Sequence, residues 1–262
     1  MCASETISIA SASFASPFIQ YNIKAPSVTE SWSGSAVIAQ QTETTCGAFT
    51  WQVVNQDEAS PLDTSIFTFN STAPSLSVQT SLGGSAKTYN LRVKVHRTNF
   101  ASVTAQKDFT VVLVDSCNSA SFVTVTPPTA PEKQVYSIGS PLKEVAFGAF
   151  ISSPNYCPTS LGWSVTPQPA DVNAIQVTTS TRKISMSSTS LESGMETVPT
   201  TSVPKSYTVT VYLVTENGTK LDSIGKAMSV LVDLSNPCVS ATISLSTVVP
   251  TAIPNYKIGA PQ

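Results

Sequence analysis

A single histidine, His96, is available for catalysis in this chain of 262 residues. A serine-histidine-aspartate nucleophile would have to be built around it. His96 stands beside Arg97, on the polar phase of the run Tyr89-Asn90-Leu91-Arg92-Val93-Lys94-Val95-His96, and no Gly-x-Ser-x-Gly elbow accompanies it. The pattern reads as a solvated histidine. Asp57-Glu58 is the only adjacent acidic pair, and no calcium-loop spacing surrounds it. There is no glycine-rich phosphate loop. Zinc chemistry is not expected either, because the five cysteines form no Cys-x-x-Cys pair. No catalytic residue, cofactor or metal is expected, and the chain reads as a non-enzyme.

Other residues could carry modification. Asn70-Ser71-Thr72 and Asn217-Gly218-Thr219 are N-glycosylation acceptor tripeptides. Asn217 also sits in a turn signal, where an acceptor can be reached. Asn155-Tyr156-Cys157 is the rarer acceptor form. The Ser- and Thr-rich stretch Val198-Pro199-Thr200-Thr201-Ser202-Val203-Pro204 could take O-linked glycans.

Composition points to strands as the elements holding these groups. Charged residues are 11% of the chain, where soluble domains average about 25%. Val, Ile, Ser and Thr dominate, so helix formers are scarce. A net charge of -2 offers no basic surface for nucleic acid. No apolar run approaches the roughly 20 residues of a membrane span. Periodicity is two rather than 3.6. Tyr89, Leu91, Val93 and Val95 share one face, and Tyr207, Val209, Val211 and Leu213 repeat the pattern. Glu216-Asn217-Gly218-Thr219 then signals a hairpin. Further strands are expected at 33–39, 49–54, 66–69 and 76–80, with counterparts at 145–151, 162–166, 175–178 and 184–188. A return strand is expected over 226–233.

The sequence also repeats. Cys2, Cys117 and Cys238 recur at roughly 120 residues, the size of one small β-domain. Each opens the same series: a short strand, then Tyr21-Asn22-Ile23-Lys24-Ala25-Pro26, Tyr136-Ser137-Ile138-Gly139-Ser140-Pro141 and Tyr256-Lys257-Ile258-Gly259-Ala260-Pro261. Cys46 precedes Trp51 as Cys157 precedes Trp163. The expected domains are 1–116, 117–237 and the opening strand region of a third repeat at 238–262.

Seven or so short strands per period predict an all-β fold of tandem antiparallel β-sandwiches. The Trp on the third strand and the Tyr opening the sixth resemble the immunoglobulin pattern. Where that family has its inter-sheet Cys, two residues after the Tyr, this chain has Leu91 and Val209. The resemblance is therefore to Ig-like architecture, with Trp51 and Trp163 as core fillers. In such a sandwich, a Cys before the first strand shares a pole with the loop after the second strand. That predicts Cys2–Cys46 and Cys117–Cys157, leaving Cys238 unpaired within the chain; the rival pairing Cys46–Cys117 and Cys157–Cys238 would join opposite poles. The Cys, Tyr-x-Ile-Gly-x-Pro and Trp landmarks resemble the tandem Cys-bearing Ig-like repeats of large surface and fibril glycoproteins of microbial eukaryotes.

These readings place the chain outside the cell. Its first residues, Met1-Cys2-Ala3-Ser4-Glu5, lack the basic start and apolar core of a signal peptide. A removed leader or a longer parent protein is expected. The third repeat opens with Tyr256, Ile258 and Pro261, which are read as an assembly strand. Such a strand pairs with more of its own chain or with another copy, and head-to-tail pairing builds a filament. The alternative is an adhesin recognising a glycan or protein through loops 55–64 and 189–206.

Overall fold

The computed structural model describes residues 2–10, 13–14, 17–32, 36–39, 43–190 and 204–236. Strands dominate, as the β-branched composition requires. The first series is β1 (Ile7–Ile9), β2 (Ile19–Asn22), β3 (Val28–Ser31), β4 (Val37–Ala39), β5 (Phe49–Asn55), β6 (Phe67–Asn70), β7 (Ser75–Val78), β8 (Thr88–Arg97) and β9 (Phe100–Val114). The second is β10 (Thr124–Thr126), β11 (Gln134–Ser137), β12 (Lys143–Ala146), β13 (Ile151–Ser153), β14 (Thr159–Thr166), β15 (Ile175–Thr178), β16 (Lys183–Met186), β17 (Lys205–Thr215), β18 (Lys220–Leu221) and β19 (Met228–Ser235).

The two series are wired alike. In the first, one sheet runs β2-β9-β8-β5 and another β3-β7-β6, with β1 paired to β4. In the second, one sheet runs β11-β19-β17-β14 and another β12-β16-β15, with β10 paired to β13. This is the immunoglobulin-like sandwich order, written twice. The chain divides by compactness into two units, one of residues 1–129, 148–163 and 211–228, the other of 130–147, 164–210 and 229–262.

The pairing departs from an all-antiparallel expectation at one place in each series. β2 runs parallel to β9, with Tyr21 opposite Leu113, and β11 runs parallel to β19, with Tyr136 opposite Leu234. The expected strand at 145–151 is divided between β12 and β13, and of that at 33–39 only β4 is seen, 33–35 lying outside the described residues and β3 preceding it. β3 pairs with β7 while β4 pairs with β1, and β12 pairs with β16 while β13 pairs with β10. Gly148 lies in the break between β12 and β13. A side chain there would meet Pro128 at 3.0 Å, so the missing Cβ permits the close approach.

Inward-phase residues form the cores. Leu91, Val93 and Val95 of β8 are fully buried, as are Val209 and Val211 of β17. In the first unit an aromatic group fills the space between sheets. Trp32 lies 5.3 Å from Phe14 and 6.0 Å from Trp51, ring centre to ring centre. Trp51 is thus a core residue. Trp163 is not its equal: it is half-buried on β14, and no described aromatic ring stacks against it. Beside it, Gly162 leaves room for Tyr212, whose ring would lie 2.6 Å from an added Cβ.

Candidate functional site

The repeated Tyr-x-Ile-x-x-Pro motif has a shared geometry. β2 alternates, so Ile19, Tyr21 and Ile23 all point inward and are buried. The parallel ladder continues one step past the strand, through Ile23 N–H to Val114 C=O at 3.0 Å. The next residue, Lys24, takes a left-handed turn with φ 74°. That turn swings its N–H across to the carbonyl of Thr80, just past β7 in the other sheet, at 2.8 Å. The Tyr21 hydroxyl donates to Ala25 C=O at 2.6 Å and accepts the Thr80 N–H at 3.4 Å. Pro26 then fixes the departing backbone.

The second copy repeats each bond. Ile138 N–H reaches Ser235 C=O at 2.9 Å, and Gly139 N–H reaches Ser188 C=O at 2.8 Å. Tyr136 donates to Ser140 C=O at 2.6 Å and accepts Ser188 N–H at 3.3 Å. Gly139 holds φ 84°, a conformation that costs glycine little and other residues about 1–2 kcal/mol. The motif is therefore a clasp. It ends an edge strand and ties it to the facing sheet, satisfying main-chain groups that would otherwise be orphaned. Tyr256, Ile258, Pro261 and Cys238, which carry the motif's third copy and its cysteine, lie outside the described residues.

The cysteines are bonded as Cys2–Cys46, with Cα atoms 5.5 Å apart, and Cys117–Cys157, at 5.1 Å. Beside the first, Arg97 is completely buried and forms a pair with Glu5 at 3.1 Å, whose side chain is equally buried. Arg97 also donates to Gly47 C=O at 2.7 Å and lies over the Phe49 ring. Sequence reasoning passed over this pair, although the signal was present. Position 97 continues the inward phase of Leu91, Val93 and Val95, and a charge on that phase needs a buried partner.

Other polar residues singled out in the sequence sit in the first sandwich. His96 is half-buried in β8, opposite Thr50 and Thr104. Asp57 accepts the Ala59 and Ser60 N–H groups and shapes its loop; the bonds from Ser60 hold its carboxyl below the ordinary range. Glu58 pairs with Lys94 and Arg92, and Arg92 also forks onto Asp108 at 2.6 Å and 3.1 Å. Lys94 lowers the Glu58 pKa most, and Arg92 that of Asp108.

Loop 55–64 forms one wall of a polar recess of about 430 Å³ together with Lys87, Tyr89 and Asn90. Asn55 braces that wall by donating to Ser60 C=O and Pro61 C=O at 3.1 Å and 2.7 Å. Of loop 189–206, residues 191–203 lie outside the described residues. Asn70, which ends β6, and Asn217, in the turn after β17, are both exposed.

No family model and no curated protein matches the chain. Among solved structures it is similar to the human desmocollin-1 ectodomain, at 8% identity over 88% of this chain and 42% of that one, with a TM-score of 0.35. The human protocadherin-24 EC1-2 structure matches at 10% identity, covering 88% and 99% of the two chains, with a TM-score of 0.34. The titin domains Z1Z2, solved in complex with telethonin, match at 9% identity, covering 89% and 94%, with a TM-score of 0.39. Likenesses at this level carry no functional argument, and the fold rests on the strand registers themselves.

Proposed function

We propose that this chain is an extracellular, non-catalytic structural repeat protein, a subunit of a fibril or cell-surface filament joined head-to-tail. The clasp carries this reading. In both described copies, an edge strand bearing Tyr and Ile pairs with a parallel strand from the end of its sandwich, and its turn bonds to the facing sheet. Residues 256–261 hold the same residue types, with Tyr256 one residue nearer its Cys than Tyr21 and Tyr136 are to theirs. They call for the same two partners, which further residues of the same chain or, in the filament reading, a neighbouring copy would supply. Since β2 already fills that position on β9, an incoming strand displaces β2 or adds at an outer edge such as β5 or β14. Two disulfides suit an oxidising compartment. Electron microscopy of the intact protein should show filaments, lost in Ile258→Asp. Monodisperse monomers of the unaltered chain would overturn the assembly reading.

A second reading has its own observation. The braced recess beside loop 55–64 offers amides, carboxylates, hydroxyls and half-buried Tyr89, groups suited to a hydroxyl-rich ligand such as a glycan. Selective glycan-array binding, abolished by Asn55→Ala with Asp57→Ala, would make the protein an adhesin instead.

A further inference from the structure

We infer that Asn217 is an N-glycan attachment site, and that its hairpin is built to present the glycan. β17 and β18 pair with Val214 opposite Lys220, leaving Glu216, Asn217 and Gly218 as a three-residue loop. Thr215 N–H bonds to Thr219 C=O at 3.0 Å and closes the loop. Gly218 takes the left-handed position with φ 86°, and nothing lies within 4 Å of where its Cβ would be. Asn217 itself is exposed, while the rest of the tip is anchored: Glu216 pairs with Lys24, and the Asn217 N–H donates to Asn118 Oδ1 at 3.3 Å.

The acceptor side chain is also oriented. Asn217 Oδ1 accepts three hydrogen bonds: Thr215 Oγ1 at 2.6 Å, Thr219 Oγ1 at 2.8 Å and Thr219 N–H at 3.1 Å. With Oδ1 turned into the hairpin, Nδ2 is the amide atom left to face outward. Thr219 Oγ1, the hydroxyl of the acceptor tripeptide, therefore lies directly against the acceptor amide. Asn70 lacks the equivalent hydroxyl contact: its Oδ1 accepts only the N–H groups of Thr72 and Ala73, at 3.0 and 3.1 Å. Asn155-Tyr156-Cys157 has its third residue tied into the bond to Cys117.

The step joins Asn217 Nδ2 to the anomeric carbon of an oligosaccharide carried on a polyprenyl pyrophosphate. The C–N bond forms as the bond from that carbon to the pyrophosphate oxygen breaks. The leaving pyrophosphate keeps the electron pair, and Nδ2 gives up one proton. Natural occurrence of this step rests on the extracellular reading; the capacity of the site does not, because it can be tested by routing the chain through a secretory pathway.

The full chain should be secreted from a eukaryotic host alongside a reporter of known glycosylation. Trypsin then isolates residues 206–220, which hold Asn217 and no other acceptor, while Asn70 falls within 25–87. Peptide N-glycosidase in heavy-oxygen water should convert Asn217 to labelled Asp. Thr219→Ala should abolish the label, and Thr219→Ser should keep part of it. A secreted, disulfide-bonded chain with peptide 206–220 unlabelled, beside a modified reporter, would overturn the assignment and leave the structural reading standing. Modified Asn217 on a chain that forms no filaments would do the reverse.

Discussion

Lys24 and Gly139 occupy the same place in the two clasps, with φ 74° and 84°. The space around a Gly139 Cβ is empty, so substitution there tests backbone conformation alone. Gly139→Ala should lower stability by about 1–2 kcal/mol, the cost of a side chain in the left-handed region. Lys24→Gly relieves the same strain but also removes the Lys24–Glu216 ion pair, so it should cost less than Gly139→Ala. Thermal denaturation of both variants checks the pair, and equal losses would deny the shared geometry. A second residue-scale expectation concerns acid. Glu58 and Asp108 have carboxyls lowered in the folded state by Lys94 and Arg92. Their contribution is present above the ordinary carboxylate range near pH 4 and is lost as pH falls through the lowered folded values. Arg92→Ala should therefore flatten the acid limb of the stability curve while changing little in high salt. An unchanged acid limb would remove this network from the account.

At the scale of elements, the long strands were open to reading because their signal is local. The alternation in β8 and β17 needs no knowledge of neighbours, and Asn217-Gly218 announces its own hairpin. The parallel pairing of β2 with β9 joins Tyr21 to Leu113, and nothing near Tyr21 in sequence specifies so distant a partner. The clasp was therefore visible as a repeated motif but not as a structure. Trp163 shows a related gap. Its spacing from Cys157 imitates that of Trp51 from Cys46, yet burial depends on what faces it, and only Trp51 meets an aromatic cluster. Arg97 was legible through its phase, whereas its partner Glu5 lies far upstream. The disulfides act on this scale too. Cys117–Cys157 closes 40 residues and seals a small cluster with Val123, Leu213 and Leu221. Replacing both cysteines by Ala should cost about 4 kcal/mol, read as a lower denaturant midpoint. A loss below roughly 1 kcal/mol would mean that the unfolded chain is already constrained there.

For the whole molecule, sparse charge shapes how copies can meet. Lys and Arg total 14 against 16 Asp and Glu, and the isoelectric point is about 5.4. Several of those charges are already committed within one chain, among them Arg92, Lys94, Glu58 and Asp108. Assembly through a clasp-type strand would join copies by main-chain hydrogen bonds and apolar side chains, the groups the clasp uses. Such bonds have little ionic-strength dependence, whereas pairing through exposed charges is screened within about 10 Å at 0.1 M salt. Strand-mediated filaments should thus keep their length when salt is raised from about 0.1 M to about 1 M, as followed by light scattering and microscopy. They should also assemble most readily near the isoelectric point, where net repulsion between copies vanishes. Filaments that dissolve in high salt would place the contact on charged surfaces and take the clasp out of assembly.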